Sequence, residues 1–449
     1  MNRIIYVLLL ASLFACQSPS MEEPAMANLF TQDVTNFWEA FDSIQTTPDT
    51  LQQMDYLQRL FLDKASPGQL AMFEVRQYQP QEYLQAITAY PQFWAAMRTK
   101  MNEAPNFAAQ IQEGIDRFRK MYPKLKTPDV YFTVGVFRSP GTTLDSMVLI
   151  GAEMVLGDAS VPTEEFPDRL DYFAEYLQGN PNENVAFLNV HEVVHTQQQR
   201  PPYILLYQSV YEGIAEFVAE QIMEQNSTTP AISYGQANAD SVRGVFEEQM
   251  WSGWGIRNWL YNNKQNPFAT RDLGYFVGYA IAENYTASIG DTQEAIANLI
   301  EIDYQDSTNF FQLVDQSNYL SEPVEKTLRR YQASQPRIIK VDPSMDLMDS
   351  SPLPPGELLI TVTFSEPMNP EARGFDYAPL GEDKTLFIQE YLGFSADSLQ
   401  CSFKVNLKPK ERGQLVLTNG FRASGLREIQ PVILDYTAGE ASQNKGGMD

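Results

Sequence analysis

Before Gln335, apolar residues recur at spacings of three and four. Trp38 with Phe41, Leu57 with Leu60 and Phe61, Tyr83 with Ile87, and Phe93 with Met97 each share one face of a 3.6-residue period. That pattern predicts amphipathic helices from Asn28 onward. One strand-like run, from about Val130 to Met154, interrupts them. After Gln335 the period becomes two. Ile360, Val362 and Phe364 fall on one side of a strand, and Cys401, Phe403, Val405 and Leu407 on one side of another, while Leu415–Leu417 and Val432–Leu434 add two short strands. Short strands broken by Pro, Gly and Asn over about a hundred residues read as a β-sandwich. The expected fold is therefore α+β: a mainly helical domain with a small sheet over 29–334, an all-β sandwich over 335–440, and a flexible tail over 441–449.

Composition narrows the partners. The chain has 449 residues, and its 32 Lys and Arg stand against 57 Asp and Glu, for a formal charge of −25. Such a surface argues against nucleic acid and against adhesion to anionic lipid. The N-terminus reads as an export signal: a basic start at Met1-Asn2-Arg3, then an apolar run from Ile4 to Phe14 that is too short to span a bilayer. The tetrapeptide Leu13-Phe14-Ala15-Cys16 that follows resembles the bacterial lipobox. By that resemblance 1–15 is a lipoprotein signal peptide, and Cys16 becomes the lipid-modified first residue of a tether over 16–28, anchored to a membrane without crossing it. With Cys16 so used, Cys401 has no intramolecular partner and reads as a buried small hydrophobe.

Chemistry concentrates in one place. The two histidines of the chain stand four apart in His191-Glu192-Val193-Val194-His195, an H-E-x-x-H motif. On a helix both imidazoles share a face and reach one zinc ion, with Glu192 beside them as general base. The motif helix is expected over about Glu183 to Gln199 and ends at Pro201-Pro202, where the chain can turn so that a second helix packs beside it. That second helix carries Glu212, Glu216 and Glu220 at helical spacing. Glu212 is the expected third ligand. Glu216, one turn on, would accept a hydrogen bond from the far nitrogen of a ligating histidine, and Glu220 is expected in solvent. Gly213 would let another segment approach closely.

The pairing of H-E-x-x-H with the downstream Glu212-Gly213-Ile214-Ala215 resembles the gluzincin metallopeptidases, in which Glu216 would brace a ligating histidine. The run Val130–Thr143, the run Met147–Met154 and Gly274-Tyr275-Phe276-Val277-Gly278-Tyr279 narrow the likeness to a predicted zinc-protease family that includes gliding-motility lipoproteins of Bacteroidetes. The resemblance implies a thermolysin-like domain and an edge strand over the cleft, for which Thr142–Met154 is the candidate, with Gly141–Thr143 alternatively a turn at the rim. It also implies residence at the outer membrane and partners in a cell-envelope assembly. Several gluzincins use a further histidine as transition-state donor, which this chain lacks. Tyr275, Tyr279 or an arginine would have to serve. Segments around Ile339–Pro343 and Val362–Pro370 resemble the Ig-like domains of bacterial surface proteins.

Two functions follow as expectations. The first is a lipid-anchored zinc peptidase acting on peptide or protein substrates, with zinc on His191, His195 and Glu212 and with Glu192 moving the proton. The alternative is a non-catalytic surface lipoprotein with a structural or vestigial zinc site, scaffolding a secretion or motility assembly. An aminopeptidase would need an acidic anchor for the substrate amine, for which Glu153 is the candidate.

Overall fold

A computed structural model of the chain describes residues 26–261, 266–343 and 352–440. The signal segment, Cys16 and the tail over 441–449 lie outside the described residues. Residues 27 and 28, read above as the end of a tether, are tied to the body: the Ala27 N–H donates to Gln112 Oε1 (2.9 Å), and Asn28 Nδ2 donates to Asp129 Oδ1 (2.8 Å).

The described fold is α+β, about half helical, with small sheets. Six helices open it, at Gln32–Ile44, Thr50–Leu60, Pro67–Arg76, Pro80–Ala89, Pro91–Asn102 and Ala108–Met121. Local chemistry sets their starts. Asp49 accepts from Leu51 N, Ser66 accepts from Gln69 N, and Pro67, Pro80 and Pro91 stand in the first turn, where no N–H is needed. Their apolar faces meet in an aromatic core around Phe37, Phe61, Phe93 and Trp94, joined by Phe137 from the strand region.

That region forms a four-stranded sheet of β1 (Leu29–Phe30), β2 (Asp129–Thr133), β3 (Gly141–Leu144) and β4 (Met147–Gly151), in the order β1-β2-β4-β3. β2 runs parallel to both β1 and β4, and β3 pairs antiparallel to β4, so β3 is one edge of the sheet and β1 the other. The expected strand through Met154 stops at Gly151. Ala152–Val155 is a helical turn that carries Glu153 beneath the 135–139 loop, where its Oε1 accepts the Phe137 N–H (3.3 Å). Gly141–Thr143 is strand, not turn.

The motif helix spans Val185–Gln197, after a 3₁₀ turn at Pro181–Asn184, and the carboxylate helix spans Leu205–Met223 beyond the Pro pair. A third helix, Leu273–Ile289, packs closely on the carboxylate helix. At their crossing a Cβ on Gly213 would lie 2.1 Å from the Gly278 carbonyl carbon, and one on Gly278 would lie 1.8 Å from Ser209 O, so the two backbones touch. No helix among the described residues is long and apolar enough to cross a membrane.

Helices give way to strands between Ser334 and Ile338. β5 (Ile338–Asp342), β6 (Gly356–Phe364), β7 (Phe375–Asp376), β8 (Ile388–Phe394), β9 (Gln400–Leu407), β10 (Arg412–Leu417) and β11 (Val432–Thr437) form two antiparallel sheets, β5-β6-β9-β8 and β11-β10-β7. Their inner faces share one cluster: Ile360, Val362, Phe364, Cys401, Phe403 and Val405 from one sheet, and Leu415, Leu417 and Leu434 from the other. Cys401 is free and buried, and burial pushes its thiol up to about 11, so it packs as a hydrophobe.

Candidate metal centre

The motif helix and the carboxylate helix bring together His191, His195 and Glu212, each buried, with one ligand atom apiece lying within 4.8 Å of the others. His191 Nε2 and His195 Nε2 are 3.1 Å apart. Glu212 Oε2 is 3.2 Å from the second and 3.6 Å from the first. Outer partners fix the tautomers. His191 Nδ1 donates to Glu216 Oε2 (2.9 Å), and His195 Nδ1 donates to Gln198 Oε1 (2.8 Å), which turns both Nε2 lone pairs inward.

Three lone-pair donors that converge in a buried space repel one another unless a cation stands among them. Without a metal, a proton takes that place. Burial opposes charge on His191, but hydrogen bonds to Glu212 and Glu216 outweigh it and raise the pKa to about 10. Burial likewise pushes Glu212 up, yet the charges and hydrogen bonds of His195 and His191 hold it well below the usual carboxylate range. Glu216 is lowered against its burial by His191, Ser227 and Thr229, the last donating at 2.7 Å. The spacings suit a metal as well. A tetrahedral ion with ligands at ~2.0–2.1 Å has ligand–ligand edges of about 3.3–3.4 Å, and the three observed edges bracket that value. The donor set can therefore hold a metal ion.

Glu192 stands outside this group, on the side of the edge strand. A Cβ on Gly141 would lie 2.6 Å from Glu192 Oε1, so a glycine at the start of β3 leaves the carboxylate its space. Burial raises the Glu192 pKa, opposed by His195 and His191 and, more weakly, by Arg76. Arg76 reaches the same corner and donates to Gly141 O (3.4 Å).

The tyrosines divide. Tyr275 lies against the His191 ring, with centroids 6.1 Å apart and planes at 25°, and desolvation with the Glu212 charge raises its phenol well above the ordinary value. Tyr279 is a correction: its hydroxyl donates to Glu220 (2.7 Å), away from the histidines. The Gly213–Gly278 contact fixes the rotation of its helix, which turns Tyr275 to the centre and Tyr279 to the next turn of the carboxylate helix. Glu220 is a second correction. It is half-buried, and besides the Tyr279 hydroxyl it accepts the Ser227 N–H (2.9 Å). Glu153 is a third, for it is fully buried and has no surface to offer a substrate amine.

Sequence reasoning missed Gln198, Tyr211, Tyr261 and Arg76. Gln198 follows His195 by three, and Tyr211, stacked on His195 at 4.3 Å and 17°, directly precedes Glu212, so both were within reach of a helical-wheel argument. Tyr261 donates its hydroxyl to Glu212 Oε1 from a segment 49 residues on, and no local pattern signals it.

The fold and site define an α+β chain with a buried His-His-Glu group that can hold a metal ion. The chain belongs to the lipoprotein family of the gliding motility protein GldB, whose family model matches residues 20–319, and it is thereby a lipoprotein of the cell envelope. Comparison with curated proteins gives no match. Among solved structures, the S-layer protein rSbsC(31-844) is matched at 11% identity and a TM-score of 0.17, over 91% of this chain and 45% of that one. The N-terminal part of SbsC is matched at 12% and 0.17, over 62% and 66%. Likeness at that level defines no shared fold.

Proposed function

We propose that this chain works in a gliding-motility assembly of the cell envelope as an anchored scaffold whose core is closed by a zinc centre at His191, His195 and Glu212. The observation that carries this reading is the family match over 20–319, which contains every residue of the centre. In this reading Cys16 carries the lipid, the outer membrane is the site of anchorage, and the Ig-like C-terminal sheets, beyond the matched residues, act as a spacer or docking module.

A second reading, a gluzincin-type zinc peptidase with a thermolysin-like site, is favoured by the position of Glu192. Its carboxylate stands beside the three ligands without joining them, next to an edge strand that can pair with an extended peptide backbone. Zinc, when bound, supplies Lewis acidity and makes water nucleophilic near neutral pH. Glu192 would accept the proton of the attacking water and pass it to the leaving amine, Glu216 and Gln198 would hold the histidines in their tautomers, and Tyr275 or Arg76 would face the developing oxyanion.

One substitution separates the readings. Glu192→Gln leaves the three ligands untouched, so zinc content by elemental mass spectrometry should equal that of the natural chain, whereas Glu212→Ala should lose it. If E192Q restores gliding to a strain lacking this chain, the scaffold stands. If it binds zinc and fails to restore gliding, and a peptide digest seen with the natural chain disappears, the peptidase stands.

A further inference from the structure

We propose that Tyr261 is the positioning residue of the metal centre, holding Glu212 in the rotamer that presents Oε2 to the two histidines. The inference rests on the metal-binding reading of that centre, and it holds for scaffold and peptidase alike.

Glu212 has two carboxylate oxygens and needs both satisfied in a buried site. Oε2 faces His195 Nε2 and His191 Nε2 at 3.2 and 3.6 Å. Oε1 receives the Tyr261 hydroxyl. Tyr275 also hydrogen-bonds Glu212, but the Tyr261 hydroxyl is the donor on Oε1, and without it that oxygen loses the partner that holds it away from the histidines.

Three further features distinguish a positioning role from ordinary packing. Tyr261 is 58% exposed as a residue while its hydroxyl end is desolvated beside Glu212, so the hydrogen bond at its tip contributes more to its placement than burial of apolar surface does. Its backbone lies at φ 56°, the left-handed region that a bulky L-residue enters at a cost and keeps only when its surroundings demand it. The residue also follows the short helix Ile256–Trp259 and belongs to neither ligand helix, so its tip ties a separate surface segment to the ligand carboxylate. An exposed ring on a strained backbone, with its polar tip on a metal ligand, is the arrangement of an outer partner that tunes affinity.

The experiment measures zinc affinity of the purified protein by competition with a chromophoric chelator, for the natural chain, Tyr261→Phe and Tyr203→Phe. Y203F is the control, because Tyr203 is also an exposed tyrosine (66%), on the loop before the carboxylate helix. Y261F should bind zinc about 10- to 100-fold more weakly. The visible spectrum of its cobalt(II) form should shift as the carboxylate reorients, whereas the loss of one donor to a buried oxygen lowers the metal-free melting temperature by only a few degrees. Y203F should match the natural chain in all three. Equal zinc affinity in Y261F, or a weaker affinity with a cobalt(II) spectrum identical to that of the natural chain, overturns the proposal. A natural chain that binds no zinc overturns the metal reading itself, and this role with it.

Discussion

Glu153 shows at the scale of one residue how burial becomes pH dependence. Its carboxyl is fully buried, Oε2 has no hydrogen-bond partner, and Oε1 accepts the Phe137 N–H. Burial raises its pKa from 4.5 to about 7, against the backbone hydrogen bonds that favour the charge. Between those two values the folded chain keeps a proton that the unfolded chain has released, so unfolding free energy falls as pH rises. The slope is about 1.4 kcal/mol per unit, for roughly 3 kcal/mol in all. Below the window both states are protonated and no penalty exists; above it the penalty is complete. Glu153→Gln keeps an oxygen for the backbone donors and removes the charge. It should therefore be more stable than the natural chain at pH 8 by up to about 3 kcal/mol and near parity at pH 4.5, measured by urea unfolding at both. A gap that does not shrink with acid would place its origin elsewhere. Nothing in the sequence marked this carboxyl as buried, because it lies in a single helical turn too short to show a period.

At the scale of elements, the His191–His195–Glu212 cluster depends on how closely the carboxylate helix meets Leu273–Ile289. Gly213→Ala would place a methyl 2.1 Å from both the Gly278 carbonyl carbon and Tyr279 N, atoms of a helix backbone that cannot step aside singly. The helices must part, at a cost of about 3 kcal/mol or more. Because Glu212 is the neighbouring residue, the proposed zinc affinity should fall with stability. Gly244 is the contrast: exposed within Ala239–Gln249, it has nothing within 4 Å of a new Cβ. Gly244→Ala should stabilise by about 0.5–1 kcal/mol through helix propensity alone. Chemical denaturation of both variants, with zinc titration of the first, checks the pair, and a neutral G213A would refute the contact.

What was legible follows the reach of periodicity. His191 and His195 share a face because four residues make about one turn, and Gly213 announced a close approach, although Gly278 as its partner could not be read. β6 and β9 showed in alternation because one side of each is buried. β8 did not, since it is an edge strand with shifts of register at Ile388/Glu390 and Tyr391/Gly393 that break the alternation. Tyr261 and Arg76 reach the centre through tertiary packing, which leaves no local trace.

At the scale of the whole molecule, the helical body and the strand region keep separate hydrophobic cores, and the groups that join them are mostly polar. Ser252 Oγ donates to Glu428 Oε2 (2.9 Å), Arg427 Nη1 donates to Ser334 O (2.8 Å), and Gln430 Nε2 donates to Gln335 Oε1 (2.6 Å). Trp254 does two things there. Its indole N–H donates to Asn419 O (3.0 Å), and its ring carries the Arg422 guanidinium 3.7 Å from the centroid, with Arg422 Nη1 buried and lacking a hydrogen-bond partner. A guanidinium so placed is stabilised by the ring face and by the charge of Glu428. Trp254→Ala removes both interactions and leaves Arg422 with the Glu428 charge alone, which should weaken the coupling by about 1–2 kcal/mol. Trp254→Phe keeps a face for the guanidinium and loses the N–H, so its effect should fall between. Neither residue touches the ligands, so zinc content should stay that of the natural chain. Calorimetry reads the outcome as the separation between unfolding of the two cores, widest in W254A and intermediate in W254F. If all three proteins unfold in one coincident transition, the junction is held by something other than this ring, and the strand region could not serve as an independently hinged module of an envelope assembly.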